Sequence, residues 1–217
     1  MKMTRPKRNM LKKLTTIGIA LMLAGCAANL PVIKRVTGLD SYGCPNELTF
    51  YRGEKELAVT LLDKYGRITK IKGIIPDGKV LAYSPEGKIC EAADYKFGKP
   101  DGIMTLYNDD GSIAEETGYL FGVREGVDTL YKDGKVVRKN LYSEGLLDGV
   151  CKSFYLNGKL KEADPYVDGK REGVYRSYYQ SGVTEREATY KNDLLVGKVK
   201  YFDEYGLPAE LVIKDPN

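Results

Sequence analysis

From Gly78 to Gly206 the chain alternates short apolar-polar runs with glycine-centred breaks. In one such unit Val127 to Tyr131 is β-prone, Lys132-Asp133-Gly134-Lys135 is a turn, and Val136 to Tyr142 is a return run. Alternation with period two between turn signals predicts paired strands. The unit then recurs. Glycines stand at Gly78, Gly102, Gly126, Gly149, Gly173 and Gly197, in steps of 24, 24, 23, 24 and 24 residues. Five residues after each comes an aromatic: Tyr83, Tyr107, Tyr131, Phe154, Tyr178 and Phe202. Eight or nine residues after each comes Gly87, Gly111, Gly134, Gly158, Gly182 or Gly206. Several registers held together across six units identify an internal repeat.

Each unit reads as two strands and two turns. Asp110-Gly111, Asp133-Gly134 and Asn157-Gly158 mark the hairpin tips, where tight turns require positive φ. A second glycine turn links the units, as in Gly122 to Gly126 and Gly169 to Gly173, with Asp193 replacing the first glycine in the last link. Pro165 in a return strand predicts an edge or a bulge. Strand alternation puts Ile103, Val127, Val150 and Val174 on the side of the turn-end aromatics. Tyr95, Tyr119, Tyr142, Tyr166 and Tyr190 form a further row, expected to cover the glycines of the next unit. A single hairpin cannot bury such stripes, so the expected fold is all-β: an elongated array of stacked antiparallel hairpins forming one twisted sheet. Residues 44–73, with strand-like runs at Leu48 to Tyr51 and Leu57 to Leu62, read as an N-terminal cap or degenerate repeat before a repeat domain spanning 74–217 with its C-terminal cap.

The motif Tyr-x2-Gly-x3-Gly-x4-Tyr/Phe with a following glycine resembles the MORN repeat, in the bacterial variant also associated with YwqK-type antitoxins. The resemblance covers Gly78 to Gly206. It implies an elongated hairpin sheet serving as an interaction surface. The absence of Trp and the weak unit before Gly78 depart from the best-formed repeats.

The N-terminus changes the charge picture. Lys2, Arg5, Lys7, Arg8, Lys12 and Lys13 precede a short apolar run, Ile17 to Ala24, which is too short to span a bilayer as a mature helix. Leu23-Ala24-Gly25-Cys26 resembles the lipobox of bacterial lipoproteins. That resemblance implies that residues 1–25 are a signal peptide, that Cys26 is lipidated, and that 26–43 form a tether. By the same resemblance, Ala27 suits an outer-membrane destination facing the periplasm. Six of the 34 basic residues lie in this signal, which has no acidic ones, leaving 28 against 30 acidic: −2 rather than +4. A nucleic-acid partner therefore loses its electrostatic support.

The chain has no histidine, which removes Ser-His-Asp and Cys-His catalysis and the commonest metal ligand. Cys44, Cys90 and Cys151 show no CxxC spacing, so no zinc site is expected. Either Cys44 bridges Cys90, or all three are thiols packing as small hydrophobes. No cofactor, metal or catalytic residue is expected. The reading is a non-catalytic, envelope-anchored protein that binds a protein partner, such as a toxin or effector, as an immunity protein. The second reading is a structural envelope scaffold binding other envelope proteins, lipid or glycan. Tyr155, Tyr175, Tyr179 and Tyr201 are the candidate partner-binding anchors, since tyrosine is enriched at interface hot spots, with packing against the opposite face as their other reading.

Overall fold

A computed structural model describes residues 30–65 and 67–209 of the 217. The signal segment, Cys26 and the C-terminal residues 210–217 lie outside the described residues. Every described element is a strand: β1 (Val32–Leu39), β2 (Pro45–Arg52), β3 (Lys55–Leu62), β4 (Ile68–Gly73), β5 (Gly78–Tyr83), β6 (Ile89–Lys96), β7 (Lys99–Tyr107), β8 (Ile113–Leu120), β9 (Val123–Lys132), β10 (Lys135–Ser143), β11 (Leu146–Leu147), β12 (Gly149–Phe154), β13 (Leu160–Val167), β14 (Lys170–Arg171), β15 (Gly173–Tyr178), β16 (Thr184–Lys191), β17 (Leu194–Phe202) and β18 (Pro208–Ala209). They form one long open mixed sheet, not closed into a barrel. From β5 to β18 the strands pair antiparallel in sequence, β10 meeting both β11 and β12 and β13 meeting both β14 and β15, which gives six consecutive hairpins; β11 and β14 are short pieces of the links.

The N-terminal end departs from expectation. The stretch expected as a tether carries β1, which pairs antiparallel with β2 and parallel with β5, Val32 opposite Val80. Its Val32 is buried, so this segment gains more from covering the first repeat than from remaining solvated. β1 to β4 form a meander, and the chain then crosses back to β5. Ile75 in that crossing packs with Val32, Phe50, Ala58, Val80, Ala93 and Tyr95, the apolar core of the described molecule. Phe50 and Tyr95 meet edge to face with ring centroids 5.8 Å apart, an arrangement worth about 0.5–1.5 kcal/mol beyond its buried area.

The turns are of two kinds. Five hairpin tips have three-residue loops with glycine in the left-handed region, as where Asn108 N–H donates to Ser112 C=O and Gly111 N–H to Asn108 C=O, both at 2.9 Å, with Gly111 at φ +85°. Among the six repeat hairpins the β9–β10 tip alone is a two-residue turn, Asp133 at φ 53° and Gly134 at φ 69°. The spacing carries this difference: Gly126 to Gly134 is eight residues where the other units have nine. The links are two-residue turns of the same positive-φ type, and Asn192-Asp193 forms one without glycine.

Register fixes the two faces. Tyr95, Tyr119, Tyr142, Tyr166 and Tyr190 lie opposite Gly78, Gly102, Gly126, Gly149 and Gly173. Each tyrosine is therefore paired with the glycine of its own hairpin rather than that of the next unit. Two residues along on this tyrosine face, Val80, Ala93, Met104, Thr117, Asp128 and Asn140 follow one another across the strands. The opposite, valine face carries Ile103, Val127, Leu141, Val150, Val174 and Val196. That row was expected to be buried by stacking, yet it stays 38–53% exposed, because a single-layer sheet has nothing to lay over its second face. Pro165 fits its predicted bulge: its carbonyl accepts from Glu172 N–H at 3.0 Å, so the side without a donor faces the break between β14 and β15.

Candidate binding faces

The tyrosine face holds a polar network in its middle row. Thr117 Oγ1 donates to Asp128 Oδ1 at 2.9 Å and Asn140 Nδ2 to Asp128 Oδ2 at 2.8 Å. Glu115 stands beside them; burial first, then Asp128, pushes its carboxyl above the ordinary carboxylate value. Further along, Arg171 pairs with Asp164 Oδ2 at 2.8 Å and reaches Tyr166 Oη at 3.3 Å, while Ser153 Oγ donates to Glu162 Oε2 at 3.0 Å. A hollow of about 150 Å³ opens among Arg138, Asn140, Cys151, Ser153, Glu162, Asp164 and Tyr166. Its thiol is a poor nucleophile: burial pushes Cys151 up, away from the reactive thiolate. Asp164 Oδ1 is buried without a partner, while Asn140, Ser153, Glu162 and Tyr166 are hydrogen-bonded within this face. No group of three carboxylate or thiol ligands that could hold a metal occurs among the described residues.

A second set of polar side chains locks unit to unit. Phe97 N–H donates to Asp77 Oδ1 at 2.7 Å, Phe121 N–H to Asp101 Oδ2 at 3.2 Å, Glu144 N–H to Glu125 Oε2 at 2.9 Å, and Asn192 N–H to Glu172 Oε2 at 2.8 Å. Each carboxylate satisfies a turn donor that the sheet ladder leaves free. The signal was in the sequence: an acidic residue directly precedes Gly78, Gly102, Gly126, Gly149 and Gly173. Sequence reasoning passed over it.

The sequence-derived candidates fare differently. Tyr175 is only 7% exposed and lies on the tyrosine face opposite Ala188, under the Arg186 guanidinium. Tyr155 and Tyr179 are half-buried staples: their hydroxyls donate to Tyr178 C=O at 2.6 Å and Phe202 C=O at 2.8 Å in the next hairpin. Tyr201 is half-buried opposite Arg186. None is fully exposed: Tyr155 and Tyr179 tie one hairpin to the next, Tyr175 is buried against its own hairpin, and Tyr201 is half-buried. Cys44 and Cys90 are unpaired. Cys90 lies next to Glu91, which pairs with Lys34, whereas Cys44 lies beyond the far end of β1. Five residues of strand separate those levels, about 17 Å at ~3.3 Å per residue, well past the reach of a disulfide.

The valine face is where unsatisfied surface collects. Beside its exposed apolar row run Lys139, Lys152, Arg176 and Lys200, all exposed. Arg176 pairs with Glu187 at 2.7 Å, and Lys200 lies 4.0 Å from the same carboxylate. Lys139 and Lys152 stand directly opposite each other in β10 and β12, and neither is in an ion pair with a described residue. An open notch of about 450 Å³ lies at the turn end of the same strands, lined by Lys135, Val136, Lys139, Phe154, Leu156, Asn157 and Gly158.

The sequence family described as MORN repeat variant matches residues 147–168 and 171–192. These stretches are the hairpins β12–β13 and β15–β16, with β11 and the β14 link, so the repeat is of MORN type. No curated protein matches the chain.

Proposed function

We propose that this chain is a non-catalytic protein-binding protein that neutralises a toxin or effector by direct one-to-one contact, held at the cell envelope through lipidated Cys26, on the outer membrane facing the periplasm. The observation that carries the binding part is the valine face. Its apolar row crosses five hairpins uncovered, with cations alongside, and the described residues form no second layer. Exposed apolar patches of such extent mark interaction surfaces. The MORN-type repeats support the same reading. Asp128, Glu162 and one oxygen of Asp164 are engaged within the array, burial disfavours the Cys151 thiolate, and the chain has no histidine to serve as a base near neutral pH. The binding role passes from the four tyrosines to the valine face for a physical reason: the hydroxyls of Tyr155 and Tyr179 are already committed to backbone carbonyls.

Co-expression with the product of the neighbouring gene tests the immunity reading. A one-to-one complex and relief of that product's toxicity are expected; no complex and no protection overturn it. Cys26→Ala tests the anchor independently, and the variant is expected in the soluble fraction. Retention on membranes contradicts the lipidation.

A further inference from the structure

We infer that the notch between the third and fourth hairpins is the docking point for a partner-protein segment presenting carboxylates next to a large apolar side chain. The inference rests on the protein-binding reading and names the chemistry of the partner.

The notch lies beside the one irregular repeat hairpin. The β9–β10 tip has a two-residue turn where the other five have three. Strand β10 meets β12 through Arg138 opposite Ser153 and Lys139 opposite Lys152, as β13 meets β15 through two pairs, but β10 leaves Lys135, Val136 and Val137 without partners on that side, one residue more than Leu160 and Lys161 in β13. The next tip, Tyr155 to Lys159, closes with the longer loop. What lies between is an open recess of about 450 Å³, with Val136, Phe154 and Leu156 as its apolar lining. Leu156 remains 44% exposed there, so the recess offers apolar area that the fold itself does not cover.

Charge selects the occupant. Like charges directly opposite on neighbouring strands are destabilising, and Lys139 and Lys152 form such a pair with no described carboxylate to relieve it. Lys135 Nζ donates to Leu156 C=O at 2.9 Å, which holds a third ammonium at the rim. A segment that placed carboxylates on these ammonium groups and an aromatic or large aliphatic side chain in the recess would satisfy both features together. An anionic bilayer fits less well. Glu116 and Glu187 stand in the same row of the valine face, so the basic surface is broken on either side of the lysine pair. The two-residue tip beside the recess also occurs once among the six repeat hairpins, whereas a membrane-facing surface would repeat with the units.

The test uses the full chain and an acetylated, amidated glutamate-phenylalanine-glutamate peptide, with the glutamine-phenylalanine-glutamine peptide as control. Backbone amide shifts are read by NMR. Shifts are expected at Val136 to Lys139 and Phe154 to Gly158, with at least a tenfold weaker Kd for the control and for Lys139→Glu/Lys152→Glu. A second variant, with one asparagine inserted after Asp133, lengthens the turn without altering charge, and is also expected to lose binding. Shifts spread over other units, or equal affinity in both variants, overturn the docking point. So does charge-dependent binding to phosphatidylglycerol vesicles that the lysine reversals abolish, with no localised peptide binding. A one-to-one partner complex that tolerates both lysine reversals overturns the notch and leaves the proposed function standing. Localised peptide binding with no partner complex does the reverse.

Discussion

Glu172 shows how much of this molecule rests on single carboxylates. Its Oε2 accepts the N–H of Asn192 in the following link turn, a donor with no place in the strand ladder. Glu172→Ala strands that donor and is expected to cost about 1–2 kcal/mol, read as a lower midpoint in urea with an unchanged slope. Glu115 carries a different prediction. Burial and its neighbour Asp128 raise its folded value above the unfolded one, so the folded state holds the proton more tightly. The stability it contributes is fully present below the unfolded value and is lost as pH rises through the folded value. Thermal midpoints are therefore expected to fall as pH climbs through the range just above ordinary carboxylate titration, and Glu115→Gln is expected to flatten that slope. At this scale the sequence was readable where a residue type recurs in register. The tyrosine row and its glycines were visible, while their pairing within one hairpin follows from register, which spacing alone leaves open. The acidic residue before each of these glycines was equally visible, but for Asp77, Asp101, Glu125 and Glu172 the partner lies about 20 positions away across a turn.

Among the elements, the hairpins follow directly from alternation and turn chemistry, and the odd β9–β10 tip follows from one shorter glycine step. β8 shows how closely they pack. A Cβ at Gly118 would stand 2.1 Å from the carbonyl oxygen of Glu125, at the bulge where β8 and β9 lose register between Thr117 and Tyr119. Gly118→Ala must therefore push β9 away, and a loss of roughly 2–3 kcal/mol is expected, measured by denaturation. The same substitution at Gly111 meets no atom within 4 Å but keeps φ at +85°, so it is expected to cost about 1 kcal/mol from backbone strain alone. β1 was the element that sequence reading missed. Its apolar patch is short, and its burial comes from a parallel pairing to β5 nearly 50 residues later, which local periodicity cannot reveal.

At the scale of the whole molecule, one sheet with an apolar core at its N-terminal end leaves the array unevenly covered. Phe50, Val80 and Ala93 are buried there, whereas Leu194, Leu195 and Val196 in β17 are exposed. Alternation places apolar residues on both faces, so the sequence could announce a sheet without telling which side stays open. Only the register, with tyrosines and the polar network on one face, identifies the valine face as the free one. The central claim is that this face binds a protein. A photo-reactive amino acid placed in the full chain, in its native cell, at Val127, Val150 or Val174 tests it most directly, with Thr117 and Asn140 on the tyrosine face as comparison positions. The expected result is one discrete protein adduct from the three valine-face positions, with the purified partner then binding one to one. Absence of an adduct from all three, or equal adducts from the tyrosine face, would contradict it.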